Sequence, residues 1–103
     1  MMTEADNFIF IGEKPFMNYV TSVVVQFTTK NEQEVLVKAR GKFISRAVDV
    51  VEVACKRFLK DEISVKNISI DSEEFVNNEG KNIRVSTIDI MLERIKAKED
   101  VSA

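Results

Sequence analysis

The sequence of 103 residues contains no histidine, no tryptophan and only one cysteine, Cys55. Without histidine it lacks the commonest general base and the commonest metal ligand of proteins. One cysteine cannot form an intrachain disulfide, and neither a zinc site of the usual ligands nor a Cys–His nucleophile pair can be assembled. We therefore expect no catalysis, no bound metal and no cofactor.

Long apolar runs are also missing. No run approaches the ~20 residues of a membrane-spanning helix, and the N-terminal "MMTEADN" is polar and acidic, unlike a signal peptide. We expect a cytoplasmic protein without membrane association. Its length fits one domain, since domains commonly run to about 100–150 residues. We place that domain at 7–95, between tails at 1–6 and 96–103 that we expect to be disordered.

The hydrophobic pattern predicts an α+β fold of order β-α-β-α-β-β, a two-layer sandwich with its helices on one side of the sheet. Both long strands lose their apolar alternation part-way, which predicts bulges or a hairpin arm that leaves the core and turns its faces over. The turn "NNEGK" joins them, with Gly80 able to take positive φ. The predicted elements are a buried strand in "FIFIG" (8–12), a helix at 16–28, a strand at 34–39, a helix at 42–59, and strands at 63–76 and 83–95.

Helical spacing also predicts which faces are buried. In the second helix, Phe58 ends the apolar stripe, which predicts a core residue, although an exposed aromatic among charges is typical of a protein–protein contact. Cys55 on the same stripe is expected to be buried and inert. The core-facing residues predicted for the helices are Met17, Val20, Val24 and Phe27 in the first, and Ile44, Ala47, Val48, Val51, Cys55 and Phe58 in the second.

One stretch, "VKARGKFISRAV" (37–48), stands out in a chain with 17 acidic and 15 basic residues. It holds Lys38, Arg40, Lys42 and Arg46 and no acid. Arg40 and Lys42 flank a glycine at the start of a predicted helix, where the helix dipole favours anions rather than cations. A bound phosphate would relieve that unfavourable placement. A solvated turn explains the spacing equally well.

A second loop of the same kind is "GEKP" (12–15), which carries Lys14. In a β-α-β unit with parallel strands, both loops lie at one edge of the sheet, so Lys14 could share a surface with Arg40 and Lys42. The hairpin tip adds Lys81 and Arg84 among acidic neighbours. A two-stranded ribbon can enter a nucleic-acid groove, or it can pair with another subunit.

The segments "IGEKPFMNYV", "VKARGKFISRAVDVVEVACKRFL" and "RVSTIDI" together resemble the Alba family of archaeal DNA- and RNA-binding chromatin proteins. The resemblance covers about residues 8–95 in one register. It implies a fold like the C-terminal domain of the bacterial initiation factor that discriminates start codons. It also implies a homodimer whose basic body and two hairpin arms bind double-stranded DNA in the nucleoid.

The resemblance also assigns residues. Lys14, Arg40 and Lys42 correspond to nucleic-acid-contacting bases of the body, with Asn18 and Tyr19 beside them; Lys38 and Arg46 complete the basic stretch, and Lys81 and Arg84 match the arm. Phe58 matches the aromatic through which family dimers contact each other. Glu13 stands where members usually carry a lysine, some of them regulated by acetylation there. With the acidic total, this favours weaker, more salt-sensitive or more selective binding.

Two other functions remain open at this stage. One is an RNA-binding subunit of a ribonucleoprotein, in which Tyr19, the sole tyrosine, would stack on an unpaired base. The other is a protein–protein adaptor that uses the hairpin as its partner surface.

Overall fold

Residues 7–95 are described by the structure, a computed structural model, and the predicted tails at 1–6 and 96–103 lie outside them. The predicted element order and α+β class are confirmed. A 3-10 turn (Gly41–Phe43) leads into the second helix, and a π-helical turn (Ala54–Phe58) follows it, so the predicted helical segment 42–59 is continuous but mixed. The elements are β1 (Phe8–Phe10), α1 (Phe16–Thr28), β2 (Glu34–Arg40), α2 (Ile44–Val53), β3 (Ile63–Val76) and β4 (Asn82–Arg94).

The four strands form one sheet in the order β1-β2-β4-β3. β1 pairs in parallel with β2, placing Ile9 opposite Val37, and β4 pairs antiparallel with β2, placing Ile90 opposite Val37. Because strand side chains alternate between faces, these three residues lie on one face. All three are buried, in one cluster with residues of both helices. The predicted two-layer sandwich is therefore confirmed, and within residues 7–95 no helix lies on the other face of the sheet.

The buried side of α1 differs slightly from the predicted one. Val20, Val23 and Phe27 are almost completely buried, whereas Met17 is 47% exposed and lies outside the core. The prediction for Met17 was wrong because its neighbour Phe16, and not Met17, packs against the core in the first turn of the helix.

The buried side of α2 is rotated from the predicted stripe. The helix meets the core through its valines and two small alanines, Ala47 and Ala54, which let it approach the sheet closely. Val48 and Phe58, predicted as core, are 42% and 51% exposed, and Cys55 is half-buried. Valines occur in several helical phases here, so apolarity alone gave more than one possible stripe. The buried residues of the predicted segment 42–59 are Ala47, Val50, Val51, Ala54 and Leu59.

Strand β1 is buried on one face only. Ile9 and Ile11 face the helices, while Phe8 and Phe10 lie on the helix-free face and are 40% and 65% exposed. The strand predicted in "FIFIG" is therefore confirmed, but its predicted burial holds for one face only. The alternation of Phe with Ile had the period of a strand with two different faces.

Strands β3 and β4 form the predicted hairpin arm, and the molecule measures 62 × 26 × 24 Å. A register shift between Val65 and Asn67 confirms the predicted bulge in β3. Strand β4 has no such shift: its inward-facing row is buried from Ile88 onward and becomes exposed beyond the helix layer. At the tip, Gly80 has a φ of +81°, as predicted for this turn.

Candidate nucleic-acid interface

The two basic loops leave the sheet at the same edge. The parallel pairing of β1 with β2 continues past the strand end, where the Ile11 N–H donates to the Lys38 carbonyl oxygen at 2.9 Å. The loops that follow carry Lys14 and Lys42, both exposed. The predicted juxtaposition of the "GEKP" and "KARGK" loops is therefore confirmed.

Tyr19 holds the first loop in place. Its hydroxyl oxygen accepts hydrogen bonds from the backbone N–H groups of Gly12 at 2.9 Å and Lys14 at 3.0 Å. The residue is only 7% exposed, so its ring is not available for stacking on a base. A side chain at Gly12 would meet that hydroxyl at 3.4 Å. Tyr19 thus shapes the backbone that presents Lys14.

Arg46 joins the two loops. It lies in the first turn of α2, just after the "KARGK" loop, and its Nη1 donates to the carbonyl oxygen of Gly12 at 2.6 Å. Its guanidinium carbon also lies 5.7 Å from the centre of the Tyr19 ring. These contacts within the protein make Arg46 a positioning residue of the loop pair.

The second loop turns at Gly41, which has a φ of +59°, a conformation that side chains with a Cβ disfavour. Arg40 precedes it and forms an ion pair with Glu73 at 2.9 Å, while Lys42 is exposed beside the Phe43 ring. The first turn of α2 has no acidic residue and no side-chain cap. Its N–H groups therefore have no anionic partner from the helix itself.

The remaining predicted residues lie in three places. Lys38 is on the helix-free face of the sheet, where it pairs with Asp89 at 3.1 Å. Asn18 is exposed in the first turn of α1, beside Lys14. On the arm, Arg84 pairs with Glu74 at 3.0 Å and Lys81 is exposed at the tip.

These contacts divide the predicted cations into two groups. Lys38, Arg40 and Arg84 each pair with an acid, at side chains that remain partly or largely exposed. Between residues 7 and 95, Lys14, Lys42 and Lys81 form no ion pair. Their charge is therefore directly available to a ligand. The sequence pattern grouped Arg40 with Lys42, but it does not show that Glu73 pairs with Arg40.

Phe58 lies far from these loops, at the end of the π-helical turn, and is 51% exposed. The exposed bases Lys56 and Arg57 precede it. Of its two predicted placements, the structure supports the exposed one. The sequence-based prediction missed Phe8 and Phe10, which the Phe–Ile alternation could have revealed as an exposed aromatic pair.

Comparison with known proteins identifies the family of this chain. A sequence model of the family described as Alba matches residues 7–72. The chain belongs to the Alba family. Among its Alba relatives, "DNA/RNA-binding protein Alba" of Methanococcus maripaludis is 51% identical over 87 residues, covering 84% of this chain and 97% of the relative. The protein of the same name from Methanocella arvoryzae is 48% identical over 95 residues, covering 92% and 97%.

A solved structure agrees with the family assignment. Alba from Thermoplasma volcanium is 43% identical and superposes with a TM-score of 0.78, covering 85% of this chain and all of that one. The names of these Alba relatives refer to DNA and RNA binding and not to catalysis. Within residues 7–95, no helix is long and apolar enough to cross a membrane, and no cluster of side chains has the composition of a metal site.

Proposed function

We propose that this Alba-family protein is a homodimer that binds double-stranded DNA through its two basic loops and its hairpin arms, in organising or regulating the chromosome. The observation that supports it best is the pair of exposed lysines, Lys14 and Lys42, on two loops joined by Arg46 at one edge of the sheet. Two relatives named for DNA and RNA binding add support. The protein acts by binding and not by catalysis.

The surface of the two basic loops binds phosphates. Lys14 and Lys42 neutralise phosphate oxygens, and Asn18 offers an amide donor beside them. Arg40 reaches the same edge once a phosphate competes with Glu73 for its guanidinium. The chain has a net charge of −2 and carries Glu13 next to Lys14. The attraction to DNA is therefore local, and binding is weak at high salt.

The arm extends the contact along the duplex. It is a two-stranded ribbon that carries Lys81 at its tip and Arg84 on its side. Ribbons of this kind fit into nucleic-acid grooves. Because Arg84 already pairs with Glu74 at 3.0 Å, we assign the larger contribution to Lys81.

The dimer forms through the inward-facing side of β3, which the helices do not cover. Ile68 and Ile70 lie opposite Ile90 and Ile88, on the same face as the core, yet they are 54% and 77% exposed. Ile44 of α2 lies beside Ile70 and Ile88 and adds to this apolar strip. A second copy would bury the strip, which is unusual on a monomer surface. Phe58, on a separate surface among basic residues, is assigned to contacts between dimers.

A salt titration with duplex DNA tests the body surface. The double variant Lys14→Ala/Lys42→Ala should weaken binding to all sequences alike, because phosphates carry no sequence information. Each lost phosphate contact should lower the slope of log K against log salt by about 0.9. Lys30→Ala/Lys60→Ala, which removes two exposed lysines away from the loops, is the matched control. An unchanged slope in the first variant would refute the assignment.

RNA is the second candidate ligand, because the names of both relatives include it. Competition between duplex DNA and structured RNA at one salt concentration decides between them. The adaptor function would be favoured instead if neither nucleic acid showed salt-dependent binding at low salt.

A further inference from the structure

The helix-free face of the sheet carries an exposed aromatic pair. Phe8 and Phe10 project from β1 with ring centres 6.4 Å apart and planes at 84°. Phe10 is 65% exposed although it is among the most apolar side chains of the chain. Phe75, 43% exposed, lies at the far end of the same face, on the arm. Aromatic rings exposed in this way within residues 7–95 can stack on other flat, apolar groups.

Basic side chains lie between these rings. The Nζ of Lys38 is 5.6 Å from the centre of the Phe8 ring and 6.0 Å from that of Phe10. The guanidinium carbon of Arg40 is 5.9 Å from the Phe75 ring. Both cations are held against the sheet by acids, since Lys38 pairs with Asp89 and Arg40 with Glu73. The face therefore alternates aromatic rings with tethered cations.

A groove runs between the aromatic pair and the base of the arm. Its volume is about 460 Å³, and its walls include Phe10, Lys38, Arg40, Phe43 and Asp71. Arg40 also borders the basic loops, so the groove is continuous with the proposed phosphate-binding edge. A strand that leaves those loops can pass directly onto the sheet.

The charges of the groove indicate what it holds. Lys38 and Arg40 are outnumbered by the acids Asp71, Glu73 and Asp89 on the same walls. A duplex, which presents only phosphates outside its grooves, gains little here. An unpaired base is uncharged and offers a flat π-face, and stacking on aromatic side chains tolerates any base. Exposed rings with tethered cations beside them suit a nucleotide whose base stacks and whose phosphate competes with Asp89 for Lys38.

We propose that the helix-free face of the sheet binds unpaired bases of single-stranded nucleic acid, with Phe10 and Phe8 as the stacking residues and Lys38 as the phosphate contact. This goes beyond the duplex surface of the loops, with which it shares only Arg40. The bases of single-stranded RNA and single-stranded DNA stack in the same way. Any preference for one of the two therefore depends on contacts with the sugar.

The test measures the affinity of the full chain for fluorescent oligouridine, oligothymidine and a DNA duplex. Phe10→Ala should weaken oligouridine or oligothymidine binding about tenfold, which is within the range for one stacked base. Phe10→Leu should lose nearly as much affinity, because leucine keeps an apolar side chain but has no ring. Phe10→Tyr keeps a ring and should bind like the parent. Ile95→Ala removes another exposed apolar side chain, one that lies beside Cys55 and Lys56 and away from this face, and is the control. It should change the affinity for neither oligomer. The oligomer bound more tightly by the parent identifies the preferred strand.

Two further readouts separate this face from the basic loops. The ratio of the parent and Phe10→Ala affinities should stay constant as salt rises, because stacking releases no counterions. Duplex binding should be the same in parent and Phe10→Ala, and weakened only by Lys14→Ala/Lys42→Ala. The proposal is overturned if the parent binds neither oligomer, if Phe10→Leu binds like the parent, or if Phe10→Ala weakens duplex and single strand equally. The first two of these outcomes do not depend on whether the loops bind duplex DNA.

Discussion

The guanidinium of Arg46 donates a 2.6 Å hydrogen bond to the carbonyl oxygen of Gly12. This contact connects the first turn of α2 to the loop after β1, two segments that are distant in the chain. Tyr19 supports the same loop from α1 through its hydroxyl. The positions of Lys14 and Lys42 are therefore linked, since Lys14 belongs to this network through its N–H and Lys42 lies one turn before Arg46.

Replacing Arg46 by methionine should loosen that link. The change keeps much of the aliphatic length but removes the charged donor, and a hydrogen bond to a charged group contributes about 1.5–3 kcal/mol. We expect the free energy of unfolding in urea to fall by a value in that range. Arg57→Met, at an exposed position of the π-helical turn, should change it little. Equal stability of Arg46→Met and the parent would contradict the network.

Tyr19→Phe separates the hydroxyl from the ring. The ring stays in the core, but the Gly12 and Lys14 N–H groups lose their acceptor. We expect a loss of about 1–3 kcal/mol in unfolding free energy, with weaker duplex binding because the loop loses its shape. If Tyr19 acted by stacking on a base, the phenylalanine variant would instead retain full affinity.

Glu73→Gln should strengthen nucleic-acid binding. It releases Arg40 from its ion pair and removes a negative charge beside the loops. We expect a several-fold rise in duplex affinity at low salt. The rise should disappear at high salt, because the Debye length falls to ~3 Å at 1 M. Glu52→Gln, which frees Lys56 of the π-helical turn, is the control for a general charge effect. An equal gain from both variants would show that net charge alone matters.

Ile70→Glu should disrupt the homodimer. Ile70 is 77% exposed on the inward side of β3, so a charge there costs the isolated chain little but would be buried at the proposed interface. Light scattering coupled to gel filtration should show a shift from dimer to monomer. Val76→Glu, nearer the tip of the arm, should leave the dimer intact. A dimer that survives Ile70→Glu must use another surface.

Cys55 should react slowly with alkylating reagents. Burial raises the pKa of its thiol, the charge of Glu52 raises it further, and Lys56 opposes the shift. Between the ordinary thiol pKa of ~8.5 and the raised one, the folded chain therefore holds a proton that the unfolded chain has lost. The rate of iodoacetamide labelling should rise at higher pH than in urea-unfolded protein, and the stability linked to this thiol should fall across that interval. Matching pH profiles would contradict the burial.

The element order could be predicted because the strands and helices of this chain differ in period, and Gly41 and Gly80 mark two of its turns. The buried face of α2 could not be predicted, since Val48, Val50 and Val51 fit more than one helical stripe. The choice between these stripes depends on how closely the helix approaches the sheet, which the small alanines determine.

The candidate site was predictable in outline but not in its contacts. Parallel strands brought Lys14 and Lys42 to one edge, as the β-α-β order implies. The partner of Arg40 is Glu73, two strands away on the same face of the sheet, and this pairing depends on the register of the arm. Tyr19 stood out only by family resemblance as a nucleic-acid contact, because a hydroxyl that accepts two backbone N–H groups leaves no pattern in a sequence.

The position of β2 in the sheet also orders events during synthesis of the chain. β2 pairs on one side with β1, made before it, and on the other with β4, made last. A three-residue strand such as β1 has too few bonds to stay paired by itself, so it must wait for β4 to complete the sheet. The whole arm therefore leaves the ribosome before the loops that carry Lys14 and Lys42 take their final shape. An unfinished chain cannot bind nucleic acid through these loops.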